Sequence, residues 1–168
     1  MIETIEETFV DRTGWPSGDW DGEPDKRQWQ DQETGLACLI VRQEHSGHLC
    51  GYVGVPVGHP WHEQEYGECA TDDVHGGLTY SDFCHGRICH VTTDEHDKVW
   101  WLGFDCHHDM DVGPRDYRRD FHGQGESYKT WCYVEAECRS LARQIKAAEH
   151  SEAPALSAEA DGTHLQDF

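Results

Sequence analysis

One stretch near the C-terminal end limits the fold more than any other. Trp131, Val134, Cys138, Leu141, Ile145 and Ala148 recur at spacings of 3, 4, 3, 4 and 3. A helix brings residues at these spacings onto one face, so the pattern predicts a helix over 127–149 with a single apolar stripe. Glu135 and Arg139 form an i,i+4 pair, and Arg143 and Lys146 suit the negative C-terminal end. Such a stripe must be buried against another layer. The remaining apolar residues come in short runs, which are strand signals. The expected fold is therefore α+β: a mainly antiparallel sheet of about five strands, with one long C-terminal helix packed on it.

The runs fall at 36–41, 49–57, 74–83, 88–93 and 99–106. Residues 44–48 suit a hairpin connection between the first two, and 94–98 suit a turn between the last two. Residues 1–10 are read as the start of a strand or as an ordered arm. Residues 11–34 mix Asp, Gly and Pro with Trp15, Trp20 and Trp29, and read as a long loop pinned by aromatics. Residues 58–73 are polar and irregular. A single domain over 1–149 and a disordered acidic tail over 150–168 complete the expected organisation.

The formal charge is −20, and the ends carry much of it. Residues 1–33 hold ten acids and three bases, and residues 149–168 hold five acids and no base. This charge argues against general binding to nucleic acid or to anionic membrane. No run approaches the roughly 20 apolar residues of a membrane span. The start Met1-Ile2-Glu3-Thr4-Ile5-Glu6-Glu7 has neither the basic nor the apolar part of a secretory signal, so a cytoplasmic location is expected. In that compartment the eight cysteines are expected mainly as reduced, buried thiols rather than as disulfides.

Several stretches carry a resemblance. They are Glu23-Pro24-Asp25-Lys26 with Trp29, Cys38 to Arg42, Cys50-Gly51-Tyr52-Val53-Gly54-Val55 with Gly58-His59-Pro60, and Val74-His75-Gly76-Gly77-Leu78-Thr79-Tyr80. Ile88-Cys89-His90-Val91, Trp100-Trp101-Leu102-Gly103-Phe104-Asp105-Cys106 and Tyr133 to Leu141 extend it. Together, over roughly residues 20–145, they resemble a family of small uncharacterised phage and prophage proteins. The resemblance implies a host-cytoplasmic setting and brings no established activity. After Phe-Asp-Cys that family reads Ala-His-Ala-Gly-Asp. Here the residues are His107-His108-Asp109-Met110-Asp111, so His108 and Asp111 keep the pattern while His107, Asp109 and Met110 depart from it.

The main chemical constellation is His59, His75, Asp105, His108 and Asp111, each near the end of an expected strand. Adjacent strand ends can converge on one pocket. His and Asp bind zinc or manganese, and they also act as general acids and bases. His75, Asp105 and His108 are the expected catalytic groups, and all five are candidate ligands for zinc or manganese. No HExxH-type spacing supports the metal, and ordinary hydrogen-bonded histidines are the competing reading. Gly76 and Gly77 allow close approach of a ligand. Arg115, Arg118 and Arg119 form the one dense basic spot and match phosphate geometry, with ion pairing to nearby acids as the competing role. One of Trp100 and Trp101 packs on the helix, and Trp101 is a candidate to stack on a base, against core packing for both. Cys84-His85-Gly86-Arg87-Ile88-Cys89-His90 is a looser candidate for structural zinc, with strand thiols as the alternative. Cys106 beside His108 is a candidate nucleophile.

Three functional classes follow. The first is a metal-assisted hydrolase of a small phosphorylated or nucleotide-like molecule, such as a host immune signal. The second is a sponge that sequesters a signalling nucleotide, for which a homo-oligomer is the usual form. The third is an acidic DNA mimic or inhibitor of a host protein.

Overall fold

The computed structural model describes residues 2–91, 98–117 and 125–150. Its centre is a six-stranded antiparallel sheet: β1 (Ile5–Glu7), β2 (Lys26–Gln30), β3 (Ala37–Arg42), β4 (Leu49–Val55), β5 (Tyr80–Asp82) and β6 (Trp100–Asp105). The spatial order is β1-β2-β3-β4-β6-β5, so the last of the described strands lies between β4 and β5. One helix, α1 (Trp131–Ala148), crosses β3 and β4. The α+β expectation holds, with six strands rather than five.

Period-two alternation sorts the strand residues onto two faces. Trp29, Cys38, Ile40, Leu49, Val53, Val55, Trp100, Leu102 and Phe104 meet Trp131, Val134, Cys138, Leu141 and Ile145 of the helix. At Gly51 a side chain would collide with Phe104 and come within 2.6 Å of Cys138 Sγ, so a missing Cβ sets how closely α1 lies on β4. The opposite face carries Leu39, Val41, Cys50, Tyr52 and Trp101, covered by Phe9, Tyr80, Cys84 and Ile88.

The start of α1 is tied to the far end of the chain. Thr130 is the N-cap, its side chain accepting from Tyr133 N, and Glu23 Oε1 accepts from Trp131 N at 2.7 Å. Glu23 Oε2 also accepts from Tyr128 Oη at 2.6 Å and from Arg42 Nη2 at 2.9 Å. Behind it Asp25, fully buried, accepts from Phe9 N, Val10 N, Arg42 Nε and Arg12 Nη2. Burial alone would raise the pKa of Asp25. The amides of Val10 and Phe9 and the Arg12 guanidinium outweigh burial and hold it below the ordinary carboxylate value.

Four local expectations are corrected. The loop expected over 11–34 contains β2. Its Lys26 and Gln28 are buried on the second face and satisfied there: Lys26 Nζ donates to Cys89 O, and Gln28 exchanges two hydrogen bonds with the backbone of Val91. The run expected as a strand at 88–93 therefore docks its backbone on side chains of β2, and β6 pairs with β4 and β5 instead. Its residues 92–93, and the link 94–97, lie outside the described residues. The expected strand 74–83 shrinks to β5, because Gly76 and Gly77 take φ values of +65° and +80° and turn the chain. Cys84 and Cys89 form a disulfide, against the expectation of thiols or a zinc site, while the other six cysteines are free. The acidic tail from 151 onward lies outside the described residues. None of the described helices is long and apolar enough to cross a membrane.

Candidate functional site

Beyond β6 the chain turns through His107 and His108 and then runs beside the approach to α1. Asp111 bridges Ser127, with Ser127 N donating to Met110 O at 2.9 Å and Val112 N to Ser127 O at 3.1 Å. Met110 takes φ +73°, a left-handed conformation that costs a non-glycine residue about 1–2 kcal/mol. This strip holds Asp111 against the turn at His75 and the first turn of α1.

Asp111 is the hub. Its side chain is 2% exposed, and Oδ2 accepts from His75 Nε2 at 2.8 Å and from His108 N at 3.0 Å. Lys129 Nζ stands 3.6 Å from Oδ1. Burial pushes the carboxyl pKa up. The His108 amide, the interaction with His75 and the nearby Lys129 outweigh burial and hold it below the usual value. An ionised Asp111 can only accept, which places a proton on His75 Nε2. The Nδ1 lone pair of the neutral ring is then an acceptor, and Tyr133 Oη lies 2.8 Å from it. The backbone amide of His75 donates to Glu137 Oε2 at 2.9 Å, fixing the turn to α1.

His108 lies alongside, its ring centroid 5.7 Å from that of His75. Asp105 Oδ1 is 3.6 Å from His108 Nε2, and Asp105 Oδ2 accepts from Thr79 Oγ1 at 2.8 Å. Among the described residues His108 Nε2 is buried without a hydrogen-bond partner. A side chain at Gly76 would collide with the His108 ring, so the glycine is the floor on which His108 rests. On the other side His107 stacks on His48 with centroids 4.6 Å apart. Burial, then the charge of His107, lowers the His48 pKa to about 4.

His75, Asp105, His108 and Asp111 thus come together as the sequence predicted. His59 does not join them: it is buried under the end of α1, its Nε2 on Ile145 O at 2.8 Å and its Nδ1 accepting from Trp61 N at 2.9 Å. Both nitrogens are taken, and the side chain pins the helix to the loop after β4. Trp101 is fully buried in the second face beside His90, so it cannot stack on a ligand. Cys106 is 2% exposed and burial drives its pKa far up, which removes it as a nucleophile. Gly77 serves the turn, its amide donating to Val74 O. Arg115 is exposed and lies close enough to Asp11 to lower that carboxyl's pKa, after the hydrogen bonds from Thr13. Arg118 and Arg119 lie outside the described residues. Among the described residues no three His, Cys, Asp or Glu come together as a group able to hold a metal ion. In the expected set of five, His59 is remote and both ring nitrogens of His75 are engaged.

Tyr133, Glu137, Lys129 and Thr79 were missed by sequence reasoning. The first three are polar residues around the start of α1, where they read as an ordinary solvated face. No local signal marked Tyr133, which lies in the first turn of α1 and off its buried stripe.

No family model matches this chain, and neither a curated protein nor a solved structure matches it.

Proposed function

We propose that this chain hydrolyses phosphoester bonds in a small phosphorylated or nucleotide-like molecule, with His75 as the base and His108 as the acid. One observation carries the reading: two imidazoles lie side by side, each backed by its own carboxylate, Asp111 at 2.8 Å and Asp105 at 3.6 Å. Phosphoester cleavage needs one group to take a proton from the attacking oxygen and another to give one to the leaving oxygen. Lys129 supplies local positive charge in an otherwise acidic protein. A recess of about 440 Å³, lined by Trp20, Tyr117, Ser127 and Tyr128 among others, reaches Ser127, the bridge partner of Asp111, while His75, Asp105, His108 and Asp111 do not line it. That volume suits a nucleotide-sized ligand. The phage resemblance makes a nucleotide immune signal of the host the substrate to try first, by analogy.

Zinc or manganese has no step in this scheme, since His59 is remote from the other expected ligands and His75 is already bonded to Asp111 and Tyr133. The test is a panel of phosphomonoesters, linear dinucleotides and cyclic nucleotides, assayed with and without EDTA. His75→Gln and His108→Gln are each expected to lower turnover at least about 100-fold at unchanged melting temperature. Turnover untouched by both substitutions refutes the assignment. Activity lost in EDTA and restored by zinc or manganese returns the chemistry to a metal. A nucleotide bound tightly and recovered intact makes the protein a sponge.

A further inference from the structure

The base at the centre of the site faces a protein hydroxyl rather than open solvent. His75 is oriented by Asp111 through Nε2, and its Nδ1 receives Tyr133 Oη at 2.8 Å. Carboxylate, imidazole and hydroxyl in line, with the hydroxyl partly exposed, is the arrangement by which proteins activate a nucleophile. Tyr133 is 37% exposed, in the first turn of α1, with its ring edge-on to His75 at 5.4 Å. Lys129 Nζ lies 5.5 Å from the Tyr133 ring centroid and 3.6 Å from Asp111.

We propose that Tyr133 is the nucleophile of this site and carries the phosphoryl group of the substrate as a covalent intermediate. The inference rests on the acid–base reading above and deepens it. In the first step Tyr133 Oη forms a bond to phosphorus while the bond from phosphorus to the leaving oxygen breaks. The phenolic proton passes to His75 Nδ1, and the imidazolium so formed is stabilised by Asp111. His108 gives a proton to the leaving oxygen. In the second step water attacks the phosphotyrosine: His108, now neutral, takes the proton of the water, and the Tyr133 oxygen leaves with the proton held on His75. Both histidines return to their starting states.

The resting phenol is protonated, because partial burial and then the charge of Glu137 raise the Tyr133 pKa. The hydroxyl therefore depends on His75 to remove its proton as the bond forms. A plain general acid at Tyr133 would need no histidine aligned on its hydroxyl by a buried carboxylate.

The experiment uses a fluorophosphonate, which phosphonylates an activated hydroxyl with loss of fluoride and needs no knowledge of the true substrate. Intact mass and peptide mapping report the site of labelling. Tyr66 is the internal control, since it is 43% exposed and makes no hydrogen bond to a histidine among the described residues. The expected result is one adduct, on Tyr133, formed at least about 100-fold faster than on Tyr66. Labelling at that position should vanish in Tyr133→Phe and fall to the Tyr66 rate in His75→Gln and Asp111→Asn. Melting temperatures verify that each variant is folded. No adduct on Tyr133, or equal labelling in His75→Gln and wild type, overturns the proposal. Selective labelling of Tyr133 in a protein that turns over no phosphoester in the panel instead refutes the substrate class and leaves the nucleophile standing.

Discussion

Replacing Asp25 by alanine should cost more stability than any substitution at the candidate site. Asp25 is fully buried and accepts four hydrogen bonds, two from backbone amides and two from Arg12 and Arg42. The Arg42 side chain is itself wholly buried, and without Asp25 its charge is left with Glu23 alone among the described carboxylates. Stranding one partner of a buried ion pair costs about 3–5 kcal/mol. The amides of Phe9 and Val10 each lose an acceptor, at about 1–3 kcal/mol apiece where no water replaces it. These costs overlap, so the expected loss is on the order of 4–6 kcal/mol, against a total stability of about 5–15 kcal/mol for a domain. Urea unfolding followed by tryptophan fluorescence is the assay. With a slope of about 2 kcal/mol per molar, the midpoint should fall by about 2–3 M. Asp25→Asn keeps one acceptor oxygen and should fall between wild type and Asp25→Ala. A shift below about 0.5 M for Asp25→Ala would mean that water reaches this network, and the reasoning would fail.

Two further outcomes are expected. Because the folded pKa of His48 is depressed to about 4, stability is whole above pH 6.5 and is lost as pH falls from about 6.5 to about 4, where the unfolded chain binds the extra proton. At about 1.4 kcal/mol per pH unit this amounts to about 3 kcal/mol, and urea midpoints at pH 7 and pH 4.5 should converge in His48→Gln relative to wild type. At position 110 the left-handed backbone favours glycine, so Met110→Gly should be neutral or stabilising by up to about 1 kcal/mol, whereas Met110→Val should destabilise by a similar amount or more. Thermal melts of the two variants check the sign, and a more stable valine variant contradicts the assigned conformation.

The elements that were legible in the sequence are those whose side chains are sorted by water. The stripe from Trp131 to Ala148 and the runs that became β3, β4 and β6 all announce burial directly. Misread elements are those buried by hydrogen bonding. Lys26 and Gln28 sit inside because the backbone of Cys89 and Val91 satisfies them, a pairing 63 residues apart that no local pattern carries. The same holds for the site. His75, Asp105, His108 and Asp111 stood out as reactive residues at strand ends, and they do meet. Tyr133 and Lys129 come to them only through the Asp111–Ser127 bridge, which depends on the tertiary path. His59 shows the opposite error: a residue type suited to chemistry, spent on holding a helix end.

The strand order has a consequence for how the chain comes off the ribosome. β1 to β4 follow one another in space, but the other edge of β4 waits for β6, which begins 45 residues after β4 ends. Until Trp100–Asp105 emerges, an apolar strand edge carrying Val53 and Val55 stands unpaired, the kind of edge that recruits other chains. Fragments ending between residues 56 and 99 should therefore aggregate, while chains reaching past β6 close that edge. The strand that closes it leads directly into Asp105, His108 and Asp111, so one insertion event both protects the nascent chain and brings the reactive groups to their partners.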